Sequence, residues 1–232
     1  MDKASASVPR IVIAIDGPAG SGKSTLALLL ARKYGYTNIE TGAMYRALAL
    51  KAIETGVPLD DSDAQAALAS KSRIELQPQR EGNRVLLDDA DVSDRIRRPD
   101  VTEAASRVSV HPPVREWMVE RQREMGAGGG IVMEGRDIGT KVFPHAEVKI
   151  FLDAAPEVRG SRRFLQNSGA PAPEASVLAE LRARDQRDRT RANSPLVPAQ
   201  DAILIDSTNM TLDQVAERAA QIIETRIAGL RD

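Results

Sequence analysis

Short apolar segments alternate with longer amphipathic segments along most of the chain. Four apolar segments predict buried strands at residues 11–15, 131–133, 148–152 and 202–205, and the more polar segment 37–40 predicts a further short strand. The amphipathic segments predict helices at residues 25–33, 43–54, 99–110, 112–125, 156–166, 174–191 and 212–228. Strands that alternate with helices predict a parallel sheet covered by helices on both faces.

Residues 72–92 break this alternation. Residues 72–77 and 84–87 predict two short strands, and residues 81–83 and 88–89 predict turns. This segment therefore predicts a small β-meander inserted into an α/β chain. Insertions of this kind lie at the surface and often cover a ligand.

Two further features concern helices and loops. On one predicted helix, Val114, Trp117, Met118 and Met125 share a face, which indicates core packing, with ligand contact as the alternative. Residues 167–173 are rich in Gly, Ala and Pro and predict a flexible hinge or lid loop.

The length and the charge limit the class of protein. A chain of 232 residues suits one large domain, or one domain with an inserted lobe. The formal net charge of −1 argues against a global attraction to nucleic acid or to an anionic membrane. No apolar run reaches membrane-spanning length, and residues 1–9 predict a disordered tail. The chain has no cysteine, in agreement with a reducing compartment, and we expect a cytoplasmic monomer without nucleic-acid or membrane partners.

The segment Gly17–Ser24 matches the phosphate-binding pattern G-x-x-x-x-G-K-[ST] at every fixed position. A predicted strand precedes it and a predicted helix follows it, as this pattern requires. Its glycines let backbone N–H groups approach phosphate oxygens, and the helix N-terminus adds partial positive charge. Lys23 would reach the β- and γ-phosphates of a nucleoside triphosphate, and the Ser24 hydroxyl would bind Mg²⁺. A turn that merely joins a strand to a helix has no need of Lys and Ser there.

A second polar segment, Glu134-Gly135-Arg136-Asp137, follows the predicted strand 131–133. Ligands of open α/β sheets bind outside the carboxyl ends of the strands, where the phosphate loop also lies. Arg136 and Asp137 are therefore candidates to face the same crevice. A surface salt bridge at a helix start is the alternative.

Residues 182–191 form the densest charge cluster of the chain. At helical spacing Arg184, Asp188 and Arg191 share one face, whereas Asp185 points the other way with Arg182 and Arg189. A solvated helix with ion pairs four residues apart would explain this pattern. A mobile lid that brings arginines over a transferred phosphoryl group would explain it equally well.

Several separate segments resemble bacterial cytidylate kinases, a family of nucleoside monophosphate kinases. The resembling segments are residues 15–24, 41–46, 114–115, 135–140, 142–144, 184–191 and 206–208. The resemblance runs from about Ile11 to Ile227 and is more specific than the phosphate loop alone.

The resemblance implies a P-loop fold with a five-stranded parallel sheet, an inserted monophosphate-binding lobe that contains a small β-sheet, and a short lid. Residues 10–232 would form one kinase domain. Its core would comprise residues 10–40, 101–155 and 195–232, the inserted lobe residues 41–100, and the lid residues 156–194. The implied reaction transfers a phosphoryl group from ATP to CMP or dCMP with Mg²⁺ and yields ADP and CDP or dCDP.

The resemblance also implies roles for individual residues. The implied ATP-binding residues are Gly17, Pro18, Ala19, Gly20, Ser21, Gly22, Lys23, Ser24, Thr25 and Arg162, the last against adenine. The implied CMP-binding residues are Thr41, Arg46, Ser106, Arg115, Arg136, Asp137, Arg184, Asp188 and Arg191. Among these, Arg46, Arg136 and Arg191 would hold the phosphate, Arg184 and Asp188 the sugar, and Ser106, Arg115 and Asp137 the base. The implied catalytic residues are Lys23, Arg136, Arg184 and Arg191.

The chemistry of cytosine agrees with these roles. A carboxylate suits the N4 donor of cytosine, and Arg and Ser donors suit its O2 and N3 acceptors. Uracil presents a carbonyl where cytosine presents N4, so Asp137 would disfavour uracil. A kinase for UMP, AMP or shikimate, and a nucleotide-dependent switch, stay open as other functions. The sequence shows no Asn-Lys-x-Asp motif of the kind that GTPases use.

Overall fold

A computed structural model describes residues 9–166 and 173–230 of the chain. Its strands are β1 (Val12–Asp16), β2 (Thr37–Glu40), β3 (Ile74–Gln79), β4 (Gly82–Leu87), β5 (Ala90–Asp91), β6 (Ile131–Gly135), β7 (Val148–Asp153) and β8 (Ile203–Asp206). Five of them form a parallel sheet in the order β2-β6-β1-β7-β8. The five-stranded parallel sheet predicted from the sequence is thus confirmed.

The helices separate the strands as the sequence predicts. They are α1 (Lys23–Tyr34), α2 (Thr41–Thr55), α3 (Ser62–Ser70), α4 (Pro99–Val108), α5 (Pro112–Gly126), α6 (Pro156–Gln166), α7 (Glu174–Thr190) and α8 (Leu212–Ala228). A 3₁₀ helix at Arg95–Arg97 and a π-helical turn at Ile138–Val142 were not predicted. Among the helices described, none is long and apolar enough to cross a membrane.

Alternate residues of β1 explain how helices cover both faces of the sheet. Ile13 and Ile15 are fully buried with the apolar faces of α1 and α8. Ala14 points to the opposite face, where Val119 of α5 and Val142 of the π-helical turn pack. Burial of apolar surface on both faces is what requires near-continuous apolar strands.

A second sheet, in the order β3-β4-β5, lies within the inserted segment and is antiparallel. The predicted turn at residues 88–89 is confirmed, because Asp88 and Asp89 have φ of 48° and 69°. A turn lies between β3 and β4 as predicted, but the predicted bounds, residues 81–83, are wrong. Gln79 pairs with Gly82, so the turn is residues 80–81 and Asn83 belongs to β4.

The carboxyl ends of the five parallel strands lie at one edge of the sheet. Asp16 pairs with Gly135, and Asp153 pairs with Asp206, so these strands end side by side. The segments that follow them therefore meet at that edge. The hinge or lid loop predicted at residues 167–173 falls almost wholly outside the described residues.

Candidate active site

The phosphate loop is held tightly against the sheet. A Cβ atom at Gly17 would overlap the carbonyl oxygen of Leu152 in β7, so only glycine fits there. Gly22 has φ of 97° and precedes α1, whose first residue is Lys23. These two positions require glycine for different reasons, close backbone approach and left-handed φ.

The Lys23 ammonium lies buried over its own loop. Its Nζ atom donates to the Pro18 carbonyl at 2.6 Å and lies 3.4 Å from the Ser21 hydroxyl. Burial, followed by the charge of Arg136, lowers the pKa of Lys23 to about 7. A phosphate group in the loop would supply the negative charge that favours the protonated lysine.

Ser24 and Glu134 meet at the mouth of the phosphate loop. The Ser24 hydroxyl donates to a Glu134 carboxylate oxygen at 2.9 Å. Burial raises the pKa of Glu134, although Lys23 opposes that shift. A hydroxyl and a carboxylate are the oxygen ligands that Mg²⁺ prefers, with phosphates and water completing its coordination. Across the described ranges no group of three or more His, Cys, Asp or Glu could hold a metal alone.

Arginines from three elements converge beside this loop. Arg136, after β6, donates from Nε to Asp188 of α7 at 2.9 Å. Arg46 of α2 forms an ion pair with Glu40 at the end of β2. Burial and the neighbouring charge of Arg136 lower the pKa of Arg184 to about 10.

Several of these arginines also act on one another electrostatically. Arg46 and Arg163 both lower the pKa of Arg184, after burial and Arg136. Asp188 opposes that shift, and a bound anion would oppose it further, so the cluster is a candidate binding site for an anionic group.

A second set of side chains surrounds Arg115 of α5. Its Nη2 atom donates to the Asp137 carboxylate at 2.5 Å, and its Nη1 atom donates to the Ser109 carbonyl at 3.1 Å. The guanidinium also lies 5.7 Å from the centre of the Tyr45 ring. Burial raises the pKa of Tyr45, although the charge of Arg115 opposes that shift. Arg115 and Asp137 are both buried, so this pair is fixed in one orientation.

Buried polar atoms without hydrogen-bond partners concentrate at these residues. Among the residues described, eight buried side-chain atoms have no partner. Five of them belong to the residues that the resemblance assigns to CMP: Arg46 Nε, Ser106 Oγ, Arg115 Nε, Arg184 Nε and Arg191 Nη2. Unpaired buried polar atoms are rare and costly, so their grouping points to a ligand that pairs with them.

The remaining predicted residues have these positions. Thr41 donates its hydroxyl to the Glu134 carbonyl at 2.8 Å and so joins α2 to β6. Arg191 donates to the Ser194 carbonyl at 2.6 Å, and its Nη1 atom lies 3.5 Å from Asp188. Arg162 donates to Ser207 after β8, whereas Thr25 is exposed on α1.

The charge cluster of α7 is not a simple solvated face. Asp188 is buried with Arg136, and Asp185, expected to point to the other side, is buried there as well. Asp185 forms a 2.6 Å ion pair with Arg159 of α6. The solvated interpretation is therefore wrong for Asp185, because α6 covers that side of α7.

Sequence reasoning missed several residues of the site. Glu134 and Asp16 end neighbouring strands at the ligand edge, and that position was the available signal. The Asp16 carboxylate accepts hydrogen bonds from the N–H groups of Ile138 at 2.8 Å and Gly139 at 2.7 Å. Tyr45 belongs to the resembling segment 41–46 but was given no role there, and Arg163 has no sequence signal that separates it from ordinary helix residues.

Comparison with known proteins agrees with this geometry. The sequence profile described as cytidylate kinase matches residues 13–225. The cytidylate kinase of Pelotomaculum thermopropionicum is 50% identical over 223 residues, covering 95% of this chain and 97% of the relative. That of Geobacillus thermodenitrificans is 48% identical over 220 residues, covering 94% of this chain and 98% of the relative.

A solved structure supports the fold alone. An uncharacterized protein from Eubacterium ventriosum superposes with a TM-score of 0.51 at 14% identity, covering 94% of this chain and 99% of that chain. The family assignment rests instead on the profile match and on relatives that are about half identical over nearly their whole length. The chain belongs to the cytidylate kinase family.

Proposed function

We propose that this protein transfers the γ-phosphoryl group of ATP to CMP and dCMP, with Mg²⁺, and forms ADP and CDP or dCDP. The observation that carries the proposal is the set of five unpaired buried donors on Arg46, Ser106, Arg115, Arg184 and Arg191. They lie on α2, α4, α5 and α7 and at the residue that follows α7, and each of these atoms can donate a hydrogen bond. A nucleoside monophosphate presents the matching acceptors, on its phosphate and on its base.

The phosphate loop would hold the donor nucleotide. Backbone N–H groups of the loop and the N-terminus of α1 favour the phosphates of ATP. Lys23 would leave the Pro18 carbonyl and donate to the β- and γ-phosphates. Ser24 and Glu134 would hold Mg²⁺, which neutralises phosphate charge when it is bound.

The chemical step needs no side-chain nucleophile. An oxygen of the CMP phosphate forms the new bond to the γ-phosphorus, and the bond from that phosphorus to the ADP oxygen breaks. Arg46, Arg136 and Arg191 would orient the acceptor phosphate. Arg136, Arg184 and Arg191 would balance the charge that spreads over the transferred group. Asp188 keeps Arg136 in place through the 2.9 Å ion pair.

The base site would select cytosine through its hydrogen-bonding edge. The Asp137 carboxylate would accept from N4, while Ser106 and Arg115 would donate to N3 and O2. The two donors have unpaired atoms in the structure, which suits this role. Uracil would bring a carbonyl towards the carboxylate and leave both acceptors unpaired.

The experiment measures phosphoryl transfer from ATP and Mg²⁺ to CMP, dCMP, UMP, AMP and dTMP in parallel. A strong preference for CMP and dCMP is expected. A Lys23→Met protein purified in the same way reports any contaminating kinase. Preference for another acceptor would be consistent with kinase activity but would overturn the roles assigned to the base-site residues. Transfer to none of the acceptors would overturn the proposal.

A further inference from the structure

Arg159 of α6 connects three elements, and the reaction described above does not use it. Its side chain is 3% exposed. Its Nε atom donates to the Ala154 carbonyl after β7 at 2.8 Å, and its Nη1 atom donates to the Ala19 carbonyl of the phosphate loop at 3.0 Å. Its Nη2 atom lies 2.6 Å from the Asp185 carboxylate of α7.

Apolar contacts join the same elements. Ala19 of the phosphate loop forms a buried cluster with Val177 and Leu181 of α7. Gly20 lies against the backbone of Arg159, since a Cβ at Gly20 would be 3.0 Å from the Arg159 carbonyl oxygen. The phosphate loop thus packs directly on α6 and α7, and a shift of the loop must move these contacts.

We propose that Arg159 is a positioning residue that, with Asp185, makes the position of α7 depend on the occupancy of the phosphate loop. ATP bound in the loop would fix the position of Ala19. The Arg159 guanidinium binds both the Ala19 carbonyl and the Asp185 carboxylate, so it passes that position to α7. Helix α7 carries Arg184 and Asp188, which would contact the acceptor. The inference rests on the proposed function for the role of α7 in CMP binding. The link between the loop and α7 needs no acceptor.

The exposed ion pair between α7 and α6 cannot provide this link. Arg182 pairs with Glu157 of α6, but these side chains are 59% and 63% exposed and do not include the phosphate loop. Exposed pairs contribute little to orientation, whereas a buried guanidinium with several fixed acceptors holds one geometry. Lysine could not replace Arg159, because its ammonium lacks the planar fork that reaches three acceptors.

Hydrogen exchange on the full-length protein tests the link. The probe is the β,γ-imido analogue of ATP with Mg²⁺, without an acceptor. In the wild type we expect the analogue to slow exchange of α7 amides by about tenfold, as moderate coupling between sites predicts. In Arg159→Lys and in Asp185→Asn the analogue should still bind, with most of that slowing lost. Arg182→Gln, which breaks an exposed pair between the same helices, should retain it.

The outcomes separate this inference from the proposed function. Equal slowing in the wild type and in Asp185→Asn would overturn the inference, as would no slowing in the wild type. If Arg159→Lys fails to fold, the result for Asp185→Asn is used instead, because Asp185→Asn leaves the Arg159 hydrogen bonds to Ala154 and Ala19 in place. A wild-type protein that does not phosphorylate CMP would contradict the proposed function and leave the exchange result intact.

Steady-state kinetics supply a readout that a purely structural role would not move. The loss of positioning should lower kcat of Asp185→Asn by about tenfold while KM for ATP changes little, since coupling residues contribute on this scale. Arg182→Gln should match the wild type in both constants. An unchanged kcat for Asp185→Asn would contradict the inference.

Discussion

The Ser24 hydroxyl donates a 2.9 Å hydrogen bond to the Glu134 carboxylate, which joins the start of α1 to the end of β6. The hydroxyl and the carboxylate therefore lie next to each other at the mouth of the phosphate loop. Sequence reasoning assigned Mg²⁺ to Ser24 alone. The position of Glu134 adds a carboxylate to that proposed site.

Glu134→Gln tests this proposed metal site. Glutamine retains an acceptor for Ser24 but lacks the charge that attracts the cation. We expect the Mg²⁺ concentration for half-maximal rate to rise by about tenfold or more, the usual effect of losing a supporting carboxylate. Glu120→Gln, at an exposed position of α5, should leave the Mg²⁺ titration unchanged. Identical titrations for both variants would remove Glu134 from the site.

Ser106 and Ser109 lie one helical turn apart, and alanine substitution at the two positions should have different effects on stability and on CMP binding. Ser106 Oγ has no partner in the structure, so Ser106→Ala should leave the melting temperature unchanged or raise it. Its KM for CMP should rise about tenfold, because one hydrogen bond to the substrate is lost. Ser109 Oγ donates to the Ser106 carbonyl at 3.1 Å, so Ser109→Ala should cost about 1 kcal/mol of stability.

The serine comparison is measured by thermal unfolding and CMP titration of the two variants side by side. Ser109→Ala controls for general disturbance of the end of α4, since both hydroxyls are buried. Loss of stability without a change in KM for Ser106→Ala would contradict a role in binding CMP.

Asp137→Asn should weaken the discrimination between cytosine and uracil. The amide can still accept from Arg115, but it no longer presents a carboxylate to N4. We expect lower CMP turnover and a CMP-to-UMP preference that narrows by about tenfold, as one mispaired polar contact predicts. The ratio of kcat/KM for the two substrates is the measurement. A ratio equal to that of the wild type would rule out base selection by Asp137.

Lys23→Met should remove most turnover. The loss of a donor to the transferred group predicts a fall of about two to three orders of magnitude in kcat. Binding of the ATP analogue and the circular dichroism spectrum show whether the fold persists. A rate close to that of the wild type would show that Lys23 is not catalytic.

The same variant should be more stable than the wild type near neutral pH. Burial lowers the pKa of Lys23 from 10.5 to about 7. Between these values the unfolded chain binds one more proton than the native protein, so the wild type gains stability as the pH rises. The advantage of Lys23→Met should therefore be greatest below about pH 7 and vanish towards about pH 10, as urea denaturation would measure. A difference in unfolding free energy between the two proteins that stays constant with pH would contradict the lowered pKa of Lys23.

Asp16 titrates in the opposite sense. Burial raises the pKa of Asp16 from 3.8 to about 7, although the N–H groups of Gly139 and Ile138 oppose that shift. Between these values the native protein binds one more proton than the unfolded chain, so this group lowers stability as the pH rises. Asp16→Asn should therefore gain stability relative to the wild type between about pH 4 and about pH 7. A difference that does not vary with pH would show that Asp16 titrates normally.

The correctly predicted parts of the fold are those whose signals come from residues close together in the sequence. Ile13 and Ile15 alternate with Ala14 as a strand buried on both faces requires, and the helix signals after Lys23 are equally local. The predicted bounds of the turn at residues 81–83 were wrong for a tertiary reason. The Asn83 side chain donates to the Asn38 carbonyl at 2.9 Å and accepts from the Glu40 N–H at 3.1 Å, which holds Asn83 within β4.

The residues of the candidate site also fall into two groups, those with a local sequence signal and those without one. Lys23 could be named from the phosphate-loop pattern, and Arg136 and Asp137 from their position after a predicted strand at the ligand edge. Arg159 had no such signal, since an arginine inside an amphipathic helix is usually exposed. Its burial depends on the phosphate loop and on α7, which are far from it in sequence.

The sequence by itself determined the alternation of strands and helices, the phosphate loop and the membership suggested by its motifs, because these follow from local spacing. Only the tertiary structure decided which distant side chains meet, such as Ser24 with Glu134 and Arg159 with Ala19 and Asp185. The physical reason is that contacts between distant residues depend on the strand order β2-β6-β1-β7-β8 and on helix packing. Local periodicity in the sequence predicts neither the strand order nor the helix packing.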